Sequence, residues 1–278
     1  MFIISGSTHQ RLGVALAQET GAEFCGVINK AYPDGERYVR ILRQVSGRDV
    51  VVIQNTFPDE KIVELLLLLE AIREAGAASV TTVIPYMGYA RQERIFQEGE
   101  AIAARAVARP IGMRSDRVLT VSIHTPEVLD FFGCPAEDID GLREVVRYLK
   151  GFTPGLVVAP DAGARERCAI AAKELKAPLH VMTKKRLDDR TVETDSGRVS
   201  IKGQTVVILD DIISTGGTIA SAALLLKDWG ASQVLAACTH GLFIEDAANR
   251  LRVCDDILSS DTDPKSGVSG QSVDPGGP

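Results

Sequence analysis

Residues 206–218, VVILDDIISTGGT, decide the fold. The aliphatic run Val206–Leu209 reads as a buried parallel strand. Asp210 and Asp211 follow, then Ser214, Thr215, Gly216, Gly217 and Thr218, and the helix-compatible IASAALLLKDWG begins at once. A strand that passes into a helix through such a turn is where open α/β sheets place their ligands. Glycines allow close backbone approach, and the N–H groups of a helix N-terminus favour an anion such as phosphate. The hydroxyls of residues 214, 215 and 218 add donors. Asp210 and Asp211 repel phosphate and suit a partner bearing hydroxyls or a cation. A sugar phosphate has both halves of that description. Neither a Walker Gly-Lys-Ser/Thr nor a GxGxxG fingerprint is present. A capped turn with idle surface aspartates is the bland alternative, but two acids at the end of a buried strand cost stability without a partner.

Outward from this stretch, strand-like and helix-like runs alternate. FIIS leads into RLGVALAQETG, DVVVIQN into PDEKIVELLLLLEAIREAG, and SVTTVIPY follows. After the charged GYARQERIFQEGE come AIAARAVARPIG and RVLTVSIH, then GLVVAP, RERCAIAAKEL and PLHVM. A second charged segment, KKRLDDRTVETDSGR, precedes the opening stretch. The alternation predicts parallel sheets with helices on both faces. It also repeats. VVIQNTFPDEKIVELLLLLEAIREAGAASV aligns with VVILDDIISTGGTIASAALLLKDWGASQV, matching Val51 to Val206 and Gly76 to Gly230 with one gap. Half-chain spacing predicts two copies of one domain, divided near Gly141, of which only the second carries the glycine pair.

With 278 residues and 45% hydrophobic content the chain is long enough for two cores. A net charge of −6, without basic runs or Arg-aromatic stacking patterns, argues against nucleic acid as a partner. MFIISGSTHQ lacks the features of a signal peptide, and LLLLL at 65–69, between Glu64 and Glu70, falls far short of the ~20 residues of a membrane span. Five scattered cysteines without a CxxC pair are expected to be reduced. The expectation is a cytoplasmic protein with no membrane partner.

Asp210-Asp211 followed by Thr-Gly-Gly-Thr resembles the phosphoribosyl diphosphate (PRPP) loop of type I phosphoribosyltransferase folds. YPDGERYVRI (32–41) and PYMGYARQER (85–94) resemble two signatures of the ribose-phosphate diphosphokinases; SIHTPEVLDFF, VVAPDAGARER and KKRLDDRTVE follow in the family's order. KKRLDDRTVE and SIH resemble the archaeal type more than the common bacterial one, and the resemblance runs from about Phe2 to Thr262. It implies an α/β fold of two tandem phosphoribosyltransferase type I-like domains, each a mainly parallel sheet flanked by helices. Residues 1–140 would form a first domain lacking the phosphate loop and 141–262 a second with the ribose 5-phosphate loop; 263–278, rich in Gly, Ser, Pro and Asp, would be a disordered tail.

The implied activity moves the diphosphoryl group of ATP to the C1 hydroxyl of ribose 5-phosphate, with Mg2+ as cofactor. By resemblance, Tyr32, Asp34, Gly35, Glu36, Arg91 and Gln92 contact ATP. Lys184 and Arg186 are the catalytic pair on a closing loop, Arg186 also reaching the sugar phosphate. Asp210, Asp211, Ser214, Thr215, Gly216, Gly217 and Thr218 bind ribose 5-phosphate, and His124 and Asp161 are associated with the metal. The family assembles, so a homo-oligomer, dimer or larger, is expected. Three departures stand out: Ser122 where many members have aspartate, Tyr32 where phenylalanine is usual, and a C-terminus without the family's last apolar segment and helix. A catalytically silent regulatory subunit and a base phosphoribosyltransferase are the rival expectations; the second leaves the first half of the chain unexplained.

Overall fold

In the computed structural model the described residues are 1–186, 192–195 and 199–262, with 183–186 and 192–195 described by their backbone alone. They form two compact units, divided between Ile139 and Asp140. The first contains β1 (Phe2–Ser5), α1 (Gln10–Thr20), β2 (Glu23–Cys25), β3 (Val27–Ala31), β4 (Arg37–Ile41), β5 (Asp49–Ile53), α2 (Glu60–Glu74), β6 (Ser79–Ile84), α3 (Ala103–Gly112), β7 (Arg117–Val121) and β8 (Ala136–Ile139). The second contains α4 (Leu142–Leu149), β9 (Leu156–Ala159), α5 (Arg165–Leu175), β10 (Leu179–Val181), β11 (Thr183–Arg186), β12 (Val192–Asp195), β13 (Thr205–Ile213), α6 (Gly217–Asp228), β14 (Gln233–Gly241), α7 (Ala247–Arg250) and β15 (Asp256–Ser259).

Each unit is built on a wholly parallel sheet, ordered β2-β1-β5-β6-β7-β8 in the first and β10-β9-β13-β14-β15 in the second. Strand alternation feeds both faces. Val206 and Ile208 pack with Ala222, Ala223 and Leu226 of α6, whereas Val207 and Leu209 pack with Cys168 and Ala171 of α5. In α2 the buried residues Leu65, Leu68, Leu69 and Ile72 recur at helical spacing and form one stripe on the sheet. The repeat read from the sequence has a structural counterpart. Gly76 and Gly230 both end a helix with positive φ (75° and 96°), and each carbonyl accepts an N–H bond of 2.8 Å, from Gly47 and Gly203 respectively.

The structure adds elements that hydrophobic alternation does not reveal. Between α1 and β5 lie the edge strand β2 and the antiparallel ribbon β3–β4, and α4 opens the second unit. The second charged segment contains another antiparallel ribbon, β11–β12. One expectation needs correction. Asp210 and Asp211 are not in the turn after a strand; β13 runs through them to Ile213, paired with β14 as far as Gly241, because four further apolar or acidic residues keep extended backbone against a fully buried neighbour. The turn proper is Ser214–Gly216. The side chains of Lys184 and Arg186 and the tail 263–278 lie outside the described residues.

Candidate active site

The winding of each sheet reverses once. In the second unit β9 leads through α5 to β10 on one side, while β13 lies on the other side of β9. Ligands of such sheets gather at the carboxyl ends of the strands flanking that reversal. Those ends carry Asp161, two residues beyond β9, and Asp210 and Asp211 in β13.

Asp210 and Asp211 are mostly buried, and Nη1 of Arg167, in the first turn of α5, lies 3.2 Å from Oδ1 of each. Each carboxylate also accepts the next backbone N–H, from Asp211 and Ile212, both at 2.9 Å. Burial, then the neighbouring charge of Asp211, pushes the Asp210 carboxyl well above the usual carboxylate range; Arg167 acts in the opposite direction. Burial and the charge of Asp210 likewise push the Cys168 thiol up to about 12, so it packs as a neutral group. All five cysteines are free.

Beyond the acids the chain turns at Gly216, whose φ of 74° is left-handed and whose added Cβ would fall 2.9 Å from Cγ of Leu251. Glycine is required there by both backbone and space. Gly217 differs: among the described residues a Cβ on it would meet nothing closer than Thr215 Oγ1 at 4.0 Å, so they leave space open over the start of α6. Its N-cap is Gly216, which has no side chain to cap it, and the start of a helix favours an anion. Arg250 holds the loop from behind by donating to the Thr215 carbonyl at 3.1 Å. Ser214 is partly buried and Thr218 exposed. The structure thus gathers Asp210, Asp211 and the loop 214–218 at one end of the second sheet. Arg167 escaped the reading of the sequence; the signal that could have found it is the demand of a buried acidic pair for a cation on the facing helix.

Asp161 caps the short helical turn 162–164, its Oδ1 accepting from the N–H groups of Gly163 (3.0 Å) and Ala164 (3.3 Å). A carboxylate at this strand end is a hard oxygen donor, as magnesium prefers. Among the described residues no group of three His, Cys, Asp or Glu side chains is placed to hold a metal unaided. The donor set fits a magnesium ion carried largely by waters and substrate phosphates, with few protein ligands.

The other predicted residues belong to the first unit. Tyr32, Asp34, Gly35 and Glu36 form the exposed tip of the β3–β4 ribbon. The Tyr32 and Glu36 backbones close it (2.8 Å), Gly35 takes φ 93°, and Asp34 Oδ1 accepts the Glu36 N–H at 3.1 Å. Arg91 is exposed in the segment after β6, and the carbonyl of neighbouring Gln92 accepts the Ala104 N–H at 3.2 Å. His124 is half-buried just past β7, beyond Ser122, which takes φ 43°. Of the remaining histidines His9 and His240 are buried, His9 Nε2 lying 2.8 Å from Asn55 Oδ1 and His240 Nδ1 2.8 Å from Thr262 Oγ1, and half-buried His180 stands edge-on to Trp229. Among the described residues no helix is long and apolar enough to cross a membrane.

Residues 1–113 match the family model for the N-terminal domain of ribose phosphate pyrophosphokinase, and residues 139–274 match that for the phosphoribosyl transferase domain. The ribose-phosphate pyrophosphokinase of Methanopyrus kandleri is 39% identical over 270 residues, covering 95% of this chain and 93% of that one. The Pyrococcus furiosus protein of the same name is 41% identical over 239 residues, covering 84% and 85%. The crystal structure of phosphoribosylpyrophosphate synthetase from Mycobacterium smegmatis is similar with a TM-score of 0.84 at 28% identity, over 95% of this chain and 89% of that one.

Proposed function

The chain belongs to the ribose-phosphate pyrophosphokinase family, and from that premise we propose that it transfers the diphosphoryl group of ATP to ribose 5-phosphate, giving PRPP and AMP. The observation that supports the reading is the end of the second sheet, where a glycine turn opening a helix and an acidic pair belong to one strand-to-helix connection. The relatives named above are pyrophosphokinases or synthetases, which favours an enzyme over a silent subunit. The match of residues 1–113 accounts for the half that a base phosphoribosyltransferase would leave idle.

The 5-phosphate sits on the N–H groups that open α6, and Ser214, Thr215 and Thr218 supply hydroxyl donors. Asp210 and Asp211 accept from the sugar hydroxyls and so fix the ring. The C1 oxygen attacks the β-phosphorus in line, the bond from that phosphorus to the α-bridging oxygen breaks, AMP leaves, and the C1 hydroxyl proton passes to solvent. Positioning and charge neutralisation supply most of the rate in such transfers. Tyr32, Asp34, Gly35, Glu36, Arg91 and Gln92 are the proposed ATP contacts, and Lys184 and Arg186 the groups that neutralise the moving phosphoryl oxygens. Asp161 and His124 are the proposed magnesium-associated residues; the metal, when bound, withdraws charge from the phosphates. The proposed domain division is 1–140 and 141–262, with 263–278 outside both. Assembly as a homo-oligomer and a cytoplasmic location belong to the same proposal.

Phosphorus NMR of the protein with ATP, magnesium and ribose 5-phosphate tests the reaction. AMP and PRPP appearing only with the sugar are expected; ADP as product would overturn diphosphoryl transfer. Lys184→Ala should lower kcat by about a hundredfold or more while ribose 5-phosphate still binds, and parallel loss of both would remove Lys184 from the chemical step.

A further inference from the structure

The acidic pair presents a geometric problem. Consecutive residues of a strand send their side chains to opposite faces, and Val206 to Leu209 obey this, alternating between the α6 and α5 layers. Asp210 and Asp211 continue the same strand. Their carboxylates nevertheless converge on one atom, Nη1 of Arg167, at 3.2 Å each. That arginine stands in the first turn of α5, where a cation opposes the helix dipole, so helix formation does not account for it. Its hydrogen bonding to described residues passes through Nη1 alone, and 3.2 Å is long for a charge-assisted bond. One guanidinium nitrogen thus bridges the pair, while each carboxylate also holds the next backbone N–H.

We infer that Arg167 is a positioning residue for ribose 5-phosphate: it draws the two carboxylates, which strand geometry would separate, into one acceptor surface for adjacent sugar hydroxyls. The inference deepens the proposed function and rests on it. In the free protein Arg167 supplies the counter-charge; when the sugar arrives, its hydroxyl protons take up acceptor positions while the guanidinium keeps both side chains on one side.

Isothermal titration of ribose 5-phosphate into wild type, Arg167→Lys and Arg167→Ala, together with steady-state kinetics, tests this. Arg167→Ala should weaken ribose 5-phosphate binding and raise its KM by about tenfold or more, leave KM for ATP within about twofold, and recover in part on addition of guanidinium ion. Arg167→Lys, which keeps the charge but not the fork, should fall between and serves where the alanine variant does not fold. In a double-mutant cycle, Arg167→Ala and Asp210→Asn should be strongly non-additive. Unchanged sugar affinity, equal rises in both KM values, or additive losses would overturn the assignment. A wild type that binds ribose 5-phosphate without forming AMP and PRPP would defeat the diphosphokinase reading, and the titrations would still decide the role of Arg167.

Discussion

Both sheets reverse their winding at the same place, between β1 and β5 in the first unit and between β9 and β13 in the second, but the strand ends there are furnished in opposite ways. In the first, the protein fills the space with its own polar groups. Glu64, 1% exposed, accepts from the Ser7 N–H (2.7 Å) and hydroxyl (2.8 Å) and faces Lys61 at 3.3 Å. Gln54 Oε1 accepts from the Thr8 N–H and hydroxyl, and Asn55 Oδ1 accepts from the Tyr86 N–H. A Cβ on Gly6 would fall 2.3 Å from Gln54 Oε1. In the second unit the corresponding end keeps two carboxylates gathered by one guanidinium nitrogen, and open space over Gly217. By the strand registers, which match Val50 beside Phe2 to Val206 beside Leu156, the amides Gln54 and Asn55 stand where the second copy has Asp210 and Asp211. The shared topology supplies the location of a site; a few residues at the strand ends decide whether a ligand or the protein itself occupies it.

That contrast can be broken from either side. The largest effect is expected from Gly217→Ala, whose Cβ would stand 4.0 Å from Thr215 Oγ1: kcat/KM for ribose 5-phosphate should fall by about a hundredfold, with the melting temperature nearly unchanged. A large drop in melting temperature would mean that the space is structural rather than a ligand's.

Asp210→Asn gives the second unit the amide of the first, and sugar affinity should fall by about tenfold or more. Its stability effect has the opposite sign. The folded carboxyl titrates above the unfolded one, so between those two pKa values the folded protein holds the extra proton. The stability contributed by Asp210 is therefore complete below the ordinary carboxylate range and is lost as pH rises through its raised pKa. The variant should thus melt higher than wild type near pH 8 and show little difference near pH 4; melting scans at both values decide it. Weaker sugar binding with a gain in stability is the pattern of a functional acid.

Within the first unit, Glu64→Gln places an NH2 among donors and should cost about 1–3 kcal/mol of stability, measurable by denaturant titration, with kcat/KM unaltered. Asn55→Asp is the smallest and sharpest test. It supplies an acid but no glycine loop, and calorimetry should show no additional ribose 5-phosphate site. A second site would mean that the acid alone makes the pocket.

Much of this was legible in one dimension. The alternation of aliphatic strands with amphipathic helices announces two parallel sheets because burial on both faces demands it, and Gly76 and Gly230 mark equivalent helix ends because only glycine takes positive φ without cost. The ribbon β3–β4 was not legible: Val27, Val39 and Ile41 pack against the core, but these few apolar residues flank an exposed polar tip and make too short an alternation to read. Nor was the filled end of the first sheet, because Ser7, Gln54 and Glu64 read as ordinary turn and helix residues until α2 packs across β1 and β5.

The sequence by itself determined the fold class, the repeat, the glycine loop and the acids beside it, all of them properties of neighbouring residues or of short-period patterns. Tertiary structure alone decided that Arg167, 43 residues before Asp210, gathers the acidic pair, and that Gly216 is pressed against Leu251 while Gly217 faces open space. Such contacts join residues distant in the chain, and their identity depends on which helix packs on which face of the sheet. Burial then sets the electrostatics: at the end of β13 it pushes the Asp210 carboxyl above the usual carboxylate range, where on a surface it would be an ordinary acid.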